Sequence, residues 1–154
     1  MRVLGIDLGL KRTGLAVSDE LGLTARALAN LTPKSRAEDI AFLLEQIAEL
    51  EVADVVIGLA SLPRSGDAGP MAKRAQGFAK ALEEALAVAA LACRVHLVDE
   101  SYSSQRASAR LVESGVKRGK RKEALDGEVA RGLVLDFIAD RTAAANLAAR
   151  PVSR

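Results

Sequence analysis

One stretch constrains this chain more than any other: Val3-Leu4-Gly5-Ile6-Asp7-Leu8-Gly9, followed by Leu10-Lys11-Arg12-Thr13-Gly14 and a second apolar run, Leu15-Ala16-Val17. A short apolar run bounded by glycines reads as a strand covered on both faces. Asp7 interrupts it. An ionised carboxylate in a dry strand costs several kcal/mol unless something pairs with it. Two partners are open to Asp7: a metal ion shared with other acids, or an ion pair with Lys11 or Arg12.

The two runs, about 3–9 and 13–19, are spaced as an antiparallel hairpin. A third, weaker strand is expected over 25–31, ended by Thr32-Pro33-Lys34. Ser35-Arg36-Ala37-Glu38 has the form of a capping box and starts a helix, with Ile40, Leu43, Leu44 and Ile47 at helical spacing to about Glu51. A buried strand follows at Asp54 to Leu59, then a Ser/Gly/Pro-rich loop. Gly69-Pro70 opens a long helix to about Leu91, with Met71, Ala75, Phe78, Leu82 and Leu86 on one face. Arg94 to Val98 is the last strand and ends in Asp99-Glu100. A helix is expected over 101–114 and a final one over 122–142. The order β-β-β-α-β-α-β-α-α combines an antiparallel opening with later parallel crossovers, hence an α/β fold with a mixed sheet and helices on its faces. A single domain over 1–142 is expected, with 143–154 a flexible carboxy-terminal tail.

Composition narrows the functional classes. With 154 residues, about half of them apolar, the chain can bury one sizeable core. Its one cysteine, Cys93, allows no internal disulfide, so a reduced, cytoplasmic setting is expected and Cys93 reads as a core filler. No targeting segment is visible, and the longest apolar run, Ala85 to Cys93, falls well short of the roughly 20 residues a membrane span needs. A net charge of +2 is too small to argue for nucleic acid by itself. Its distribution says more: Lys117, Arg118, Lys120, Arg121 and Lys122 crowd into six residues just ahead of the last helix.

Two further acids sit in apolar settings. Glu100 follows Val95-His96-Leu97-Val98, and Asp126 heads a stripe of Val129, Leu133 and Phe137 at helical spacing. Asp7, Glu100 and Asp126 would converge from a central strand, a strand end and a helix. Such a cluster repels itself unless divalent cations neutralise it, and all-oxygen ligands favour hard ions such as Mg²⁺ or Mn²⁺. His96 reads as a packed or rim residue. Asp99 points away from Glu100 by strand alternation and is left out of the set.

The blocks Gly5 to Asp19, Val56-Ile57-Gly58-Leu59, Gly66 to Pro70, Val98-Asp99-Glu100 and Arg121-Lys122-Glu123-Ala124-Leu125-Asp126 with Val129-Ala130 resemble the YqgF/RuvX family, RNase H-like nucleases related to Holliday junction resolvases. The resemblance covers nearly the whole chain. It implies a five-stranded mixed sheet of order 3-2-1-4-5, with Asp7, Glu100 and Asp126 as catalytic, metal-binding acids. It implies two-metal phosphodiester hydrolysis with two Mg²⁺ or Mn²⁺ ions, needing no Cys, Ser or His nucleophile. The substrate implied is the 5′ end of precursor 16S ribosomal RNA, which makes ribosome biogenesis the setting. A Holliday junction or DNA-repair nuclease, monomeric or dimeric, is the alternative, and an inactive nucleic-acid-binding module a remoter one. An actin-like ATP-binding domain is disfavoured, because neither a second D-x-G after a strand nor a Walker A pattern is present.

Lys11 and Arg12 beside Asp7, the basic run Lys117, Arg118, Lys120, Arg121 and Lys122, and the hydroxyls of Ser103 and Ser104 are the expected nucleic-acid contacts. The chain departs from the family's usual pattern at Ala60-Ser61-Leu62-Pro63-Arg64-Ser65. It departs again at Glu100-Ser101-Tyr102-Ser103-Ser104, where an arginine is replaced by Ser101. These departures touch substrate contacts and leave the acids intact.

Overall fold

A computed structural model describes residues 1–59, 69–99 and 121–149. Strands β1 (Arg2–Leu8), β2 (Thr13–Ser18), β3 (Ala25–Ala27), β4 (Val52–Leu59) and β5 (Arg94–Asp99) form one sheet in the order β3-β2-β1-β4-β5. β1, β2 and β3 pair antiparallel, while β1, β4 and β5 run parallel. Helices α1 (Arg36–Glu49) and α2 (Pro70–Val88) cover one face and α3 (Arg121–Ala148) the other. The sheet order is the one implied by the resemblance, and the two-faced cover the one expected from the order of elements.

Strand alternation sorts the core. Leu4, Ile6 and Leu8 of β1 join Leu15, Val17, Val55 and Ile57 beneath Ile40, Leu43 and Ile47 of α1 and Phe78, Leu82 and Leu86 of α2. On the opposite face Val3, Ala16 and Val56 meet Ala130, Leu133 and Val134 of α3. This second face is small by design of its residues. A Cβ on Gly5 would stand 2.5 Å from the Ala130 carbonyl oxygen, and one on Gly14 would collide with the Asp126 backbone. Two glycines therefore let α3 lie against the sheet at backbone contact.

The helix starts follow their sequence signals. Ser35 Oγ accepts the Glu38 N–H at 3.1 Å while the Glu38 carboxylate accepts the Ser35 N–H, a complete capping box, and Pro70 stands in the first turn of α2 after Gly69. The ends differ from expectation. α2 stops at Val88, three residues early, in a Schellman turn: the Leu91 N–H reaches the Leu86 carbonyl at 3.0 Å and the Ala90 N–H the Ala87 carbonyl at 3.1 Å. Ala90 occupies the left-handed region at φ +55°, a position that favours glycine. An L-residue there carries about 1–2 kcal/mol of backbone strain. Ala90→Gly is therefore expected to raise the unfolding free energy by about 0.5–1 kcal/mol after the entropic cost of glycine, read by urea denaturation with an unchanged m-value.

β3 covers three residues instead of seven, although the chain beyond it keeps bonding to β2 through Leu28 N–H to Leu15 and a mutual pair between Thr13 and Leu31. α3 continues to Ala148, six residues past the expected end at Thr142. The extension, Ala143-Ala144-Ala145-Asn146-Leu147-Ala148, consists mainly of the strongest helix formers and contains no breaker. The helix expected over 101–114 lies outside the described residues.

Candidate active site

Asp7 sits half-buried one residue before the end of β1, on the face that carries Val3 and Gly5 and looks toward α3. Its register partner across the hairpin is Gly14. The backbone of Asp126 presses directly on Gly14, so the strand acid and the helix acid flank the same glycine. Two of the three expected acids are thus brought together, one from a strand and one from a helix. Glu100 lies outside the described residues.

The turn between β1 and β2 closes tightly, with no room for a Cβ on Gly9 beside the Arg12 carbonyl. It leaves Lys11 exposed and aims Arg12 back at α3, where Arg12 Nε donates to Asp126 Oδ2 at 3.0 Å. This ion pair joins residues 114 positions apart. The Asp126 side chain keeps 22% of its surface exposed, so a second ligand can reach it. Arg74 of α2 anchors the turn from the other side, donating to the Gly9 carbonyl at 3.1 Å. Arg121 and Lys122 open α3 five and four residues before Asp126, their side chains outside the described set. Lys117, Arg118, Lys120, Ser103 and Ser104 also lie outside it.

The donor chemistry suits a hard divalent ion: carboxylate oxygens, one from a half-buried strand position and one on a helix, the latter with the Arg12 guanidinium holding part of its charge. Among the described residues no three His, Cys, Asp or Glu side chains assemble a metal cage.

The model of the family described as RuvX, Holliday junction resolvase, matches residues 1–140. The chain belongs to the RuvX family. A relative from Anaeromyxobacter dehalogenans, named "Putative pre-16S rRNA nuclease", is 41% identical over 143 residues, which is 93% of this chain and 99% of that protein. One of the same name from Myxococcus xanthus is 40% identical over 135 residues, 88% of this chain and 85% of its own. Among solved structures, T. thermophilus RuvC in complex with a Holliday junction substrate superposes with a TM-score of 0.58 at 17% identity, over 93% of this chain and 96% of that one. The fowlpox virus Holliday junction resolvase does so with a TM-score of 0.54 at 13% identity, over 92% and 99%. At these identities the structures establish the RNase H-like fold of this RuvX chain.

Sequence reading assigned no role to Asp54, yet it is the most deeply buried acid described, with 1% of its side chain exposed. His96 Nε2 lies 2.9 Å from its Oδ1, Arg94 Nε 3.2 Å from the same oxygen, and Arg141 donates to Oδ2 at 2.6 Å. Arg141 also lies 4.7 Å over the Phe137 ring, which packs 4.7 Å from the His96 ring. Burial pushes the Asp54 carboxyl up, but hydrogen bonds from His96 and Arg141 and the charges of Arg141 and Arg94 outweigh it, holding it below the usual carboxylate range. The signal was present: an acid at the head of Val55-Val56-Ile57, by the same logic that singled out Asp7.

His96 is therefore a packed partner of Asp54, as its strand position suggested. Burial, with the Asp54 charge next, pushes the Cys93 thiol up to about 11, so the group stays protonated and unreactive near neutral pH. Because the folded pKa of Asp54 is depressed, its contribution to stability is present above the unfolded value near 4 and lost as pH falls through the folded one. Arg141→Met leaves the buried carboxylate with two weaker partners and is expected to cost about 2–3 kcal/mol at pH 7. Denaturation across pH 7 to 3 should show that deficit shrinking below about pH 4 as Asp54 is protonated.

Proposed function

We propose that this chain is a metal-dependent nuclease that hydrolyses phosphodiester bonds, with Asp7, Asp126 and Glu100 holding Mg²⁺ or Mn²⁺ and the 5′ end of precursor 16S ribosomal RNA as substrate. The observation that carries the reading is Asp7 and Asp126 converging on the two sides of Gly14. Glu100 shares sequence parity with His96 and Val98, both of which pack toward α3, and this supports its place as the third ligand. The names of the relatives support the RNA substrate.

Bound divalent ions would activate the attacking water and stabilise the leaving oxygen. The remaining roles belong to the chain. Asp7 and Asp126 hold charge from a strand and a helix packed against each other, and Lys11 stands exposed beside them to receive phosphate. Arg12 keeps Asp126 oriented and partly neutralised, which limits repulsion between the acids when no cation is present. Arg12→Gln is expected to tighten Mn²⁺ binding in calorimetry about two- to fivefold, by removing a competing cation, while lowering cleavage. Weaker metal binding in that variant would make Arg12 a supporting residue and not a competitor.

A cytoplasmic setting fits this role, and no helix among the described residues is long and apolar enough to cross a membrane. The family description and the resolvase-like fold favour a second reading, cleavage of branched DNA. The deciding experiment offers precursor-flanked RNA and a four-way DNA junction separately, with Mn²⁺ or Mg²⁺. Cutting of RNA supports the first reading, and cutting of the junction alone, by a dimer in sedimentation, the second. Tight binding without cutting of either would indicate a binding module.

A further inference from the structure

On the face of the hairpin opposite Asp7, a cavity of about 130 Å³ opens between the β1–β2 turn, the start of α1 and the first turns of α2. Leu8 and Thr13 form its floor. They are register partners, and the next pair along the hairpin is Asp7 with Gly14. The cavity and the candidate active site thus lie on opposite faces of the same end of the hairpin, their backbone positions one residue step, roughly 3.4 Å along the strand, apart. Among the described residues Lys34, Arg36 and Arg74 line it, with Asp39 as the one acid.

The charges there are not balanced. No ion pair within 4 Å ties Lys34, Arg36 or Arg74 to a carboxylate among the described residues. Arg74 spends one donor on the Gly9 carbonyl, and a guanidinium carries five. Asp39 spends Oδ1 on the Lys34 backbone N–H at 3.1 Å, which fixes the residue carrying the first cation. Arg36 lies against Gly77 of α2, its guanidinium 3.2 Å from where a Cβ would stand, so a bare stretch of helix gives it a seat. Among the described residues three cations stand against one acid, around a space with room for a small oxyanion, an arrangement suited to phosphate.

We propose that this cavity binds a non-scissile phosphate of the nucleic-acid strand, flanking the one cleaved at Asp7 and Asp126. The inference rests on the nuclease reading for the identity of its ligand, a phosphodiester. A strand whose scissile phosphate lies at the acids crosses the Gly9–Arg12 turn, passes the exposed Lys11 and enters the cavity from its Lys34–Arg36 rim. Arg74 joins the two places physically, because the group that lines the cavity also holds the turn.

The test uses the full chain without divalent cations, so that nothing is cut. Short fluorescent RNA and DNA strands of the same sequence are titrated by anisotropy between about 50 and 200 mM salt. Lys34→Gln with Arg36→Gln should weaken binding several-fold at the low-salt end. It should also reduce the slope of log Kd against log salt by about 0.7, one phosphate contact on a single strand. Asp39→Asn, which keeps an acceptor for the Lys34 N–H, should tighten binding about two- to threefold. Opposite signs from two substitutions in one cavity are not produced by a general loss of structure, and thermal melts of both variants check that the fold is intact. An unchanged slope with both strands overturns the proposal, and the arm that responds identifies the strand bound. The outcome is separate from that of the nuclease reading. A wild-type protein that cuts while the slope stays unchanged sinks the cavity alone. One that never cuts, yet loses slope on substitution, sinks the nuclease reading alone.

Discussion

Asp7→Asn is expected to lose at least about a thousandfold in metal-dependent cleavage while folding as well as the wild type. The amide keeps the size of the carboxylate and removes the charge, so under the proposed nuclease function the loss falls on metal binding. Several kcal/mol of transition-state stabilisation depend on that ion, and each 1.36 kcal/mol is tenfold in rate. Without metal the variant should melt at the same temperature or slightly higher, because Asp7 and Asp126 flank one glycine and repel each other when both are ionised. Calorimetry with Mn²⁺ should show weakened binding in parallel. A variant that unfolds would mean that Asp7 is a structural ion-pair partner, and one that binds metal and cuts normally would place the site elsewhere.

Gly14→Ala should damage both fold and activity without touching a charged group. A Cβ at this position runs into the Asp126 carbonyl and stands 2.9 Å from the Asp126 Cβ, and backbone cannot yield as a flexible side chain would. Helix α3 must retreat, at a cost of about 1–3 kcal/mol for overpacking. A displacement of Asp126 by about 1 Å is enough to lower cleavage on the order of a hundredfold. Chemical denaturation and single-turnover cleavage would read the two losses. If activity survives at wild-type level, the Gly14 contact does not set the position of Asp126.

These expectations trace back unevenly to the sequence. Asp7 could be singled out because a charge inside an apolar run conflicts with its surroundings, and such conflicts are visible in a linear string. The capping box at Ser35 and the proline at the start of α2 were legible for the same reason, being local rules satisfied within four residues. The pairing of Arg12 with Asp126 was not, since it spans 114 positions and depends on how α3 crosses the hairpin. Asp54 stayed hidden for a related reason. Its partners Arg94, His96 and Arg141 lie 40 or more positions further on, and Arg141 belongs to the helix turn just before Thr142, where the pattern of α3 was read as ending. The end of that helix was missed because it is extended by alanine propensity and not by an apolar stripe. Glu100 and most of the basic run fall outside the described residues; Glu100 stands out in the string by its place after an apolar strand and by the family's pattern, and the basic run by its charge density.

The fixing of α3 at two separated points has a mechanical consequence. Asp126 is seated on Gly14 at one end and Arg141 is tied to Asp54 near the other, 15 residues or about 22 Å along the axis. A helix pinned in this way behaves as a strut. An angular slack of roughly 3° at the Arg141 tie would swing Asp126 by about 1 Å, a distance to which catalysis is sensitive. The buried carboxylate at the quiet end of the sheet thereby helps, with the packing of Ala130, Leu133 and Val134 between, to set the aim of an acid it never approaches. Alignment of the reactive end is a property of the whole span.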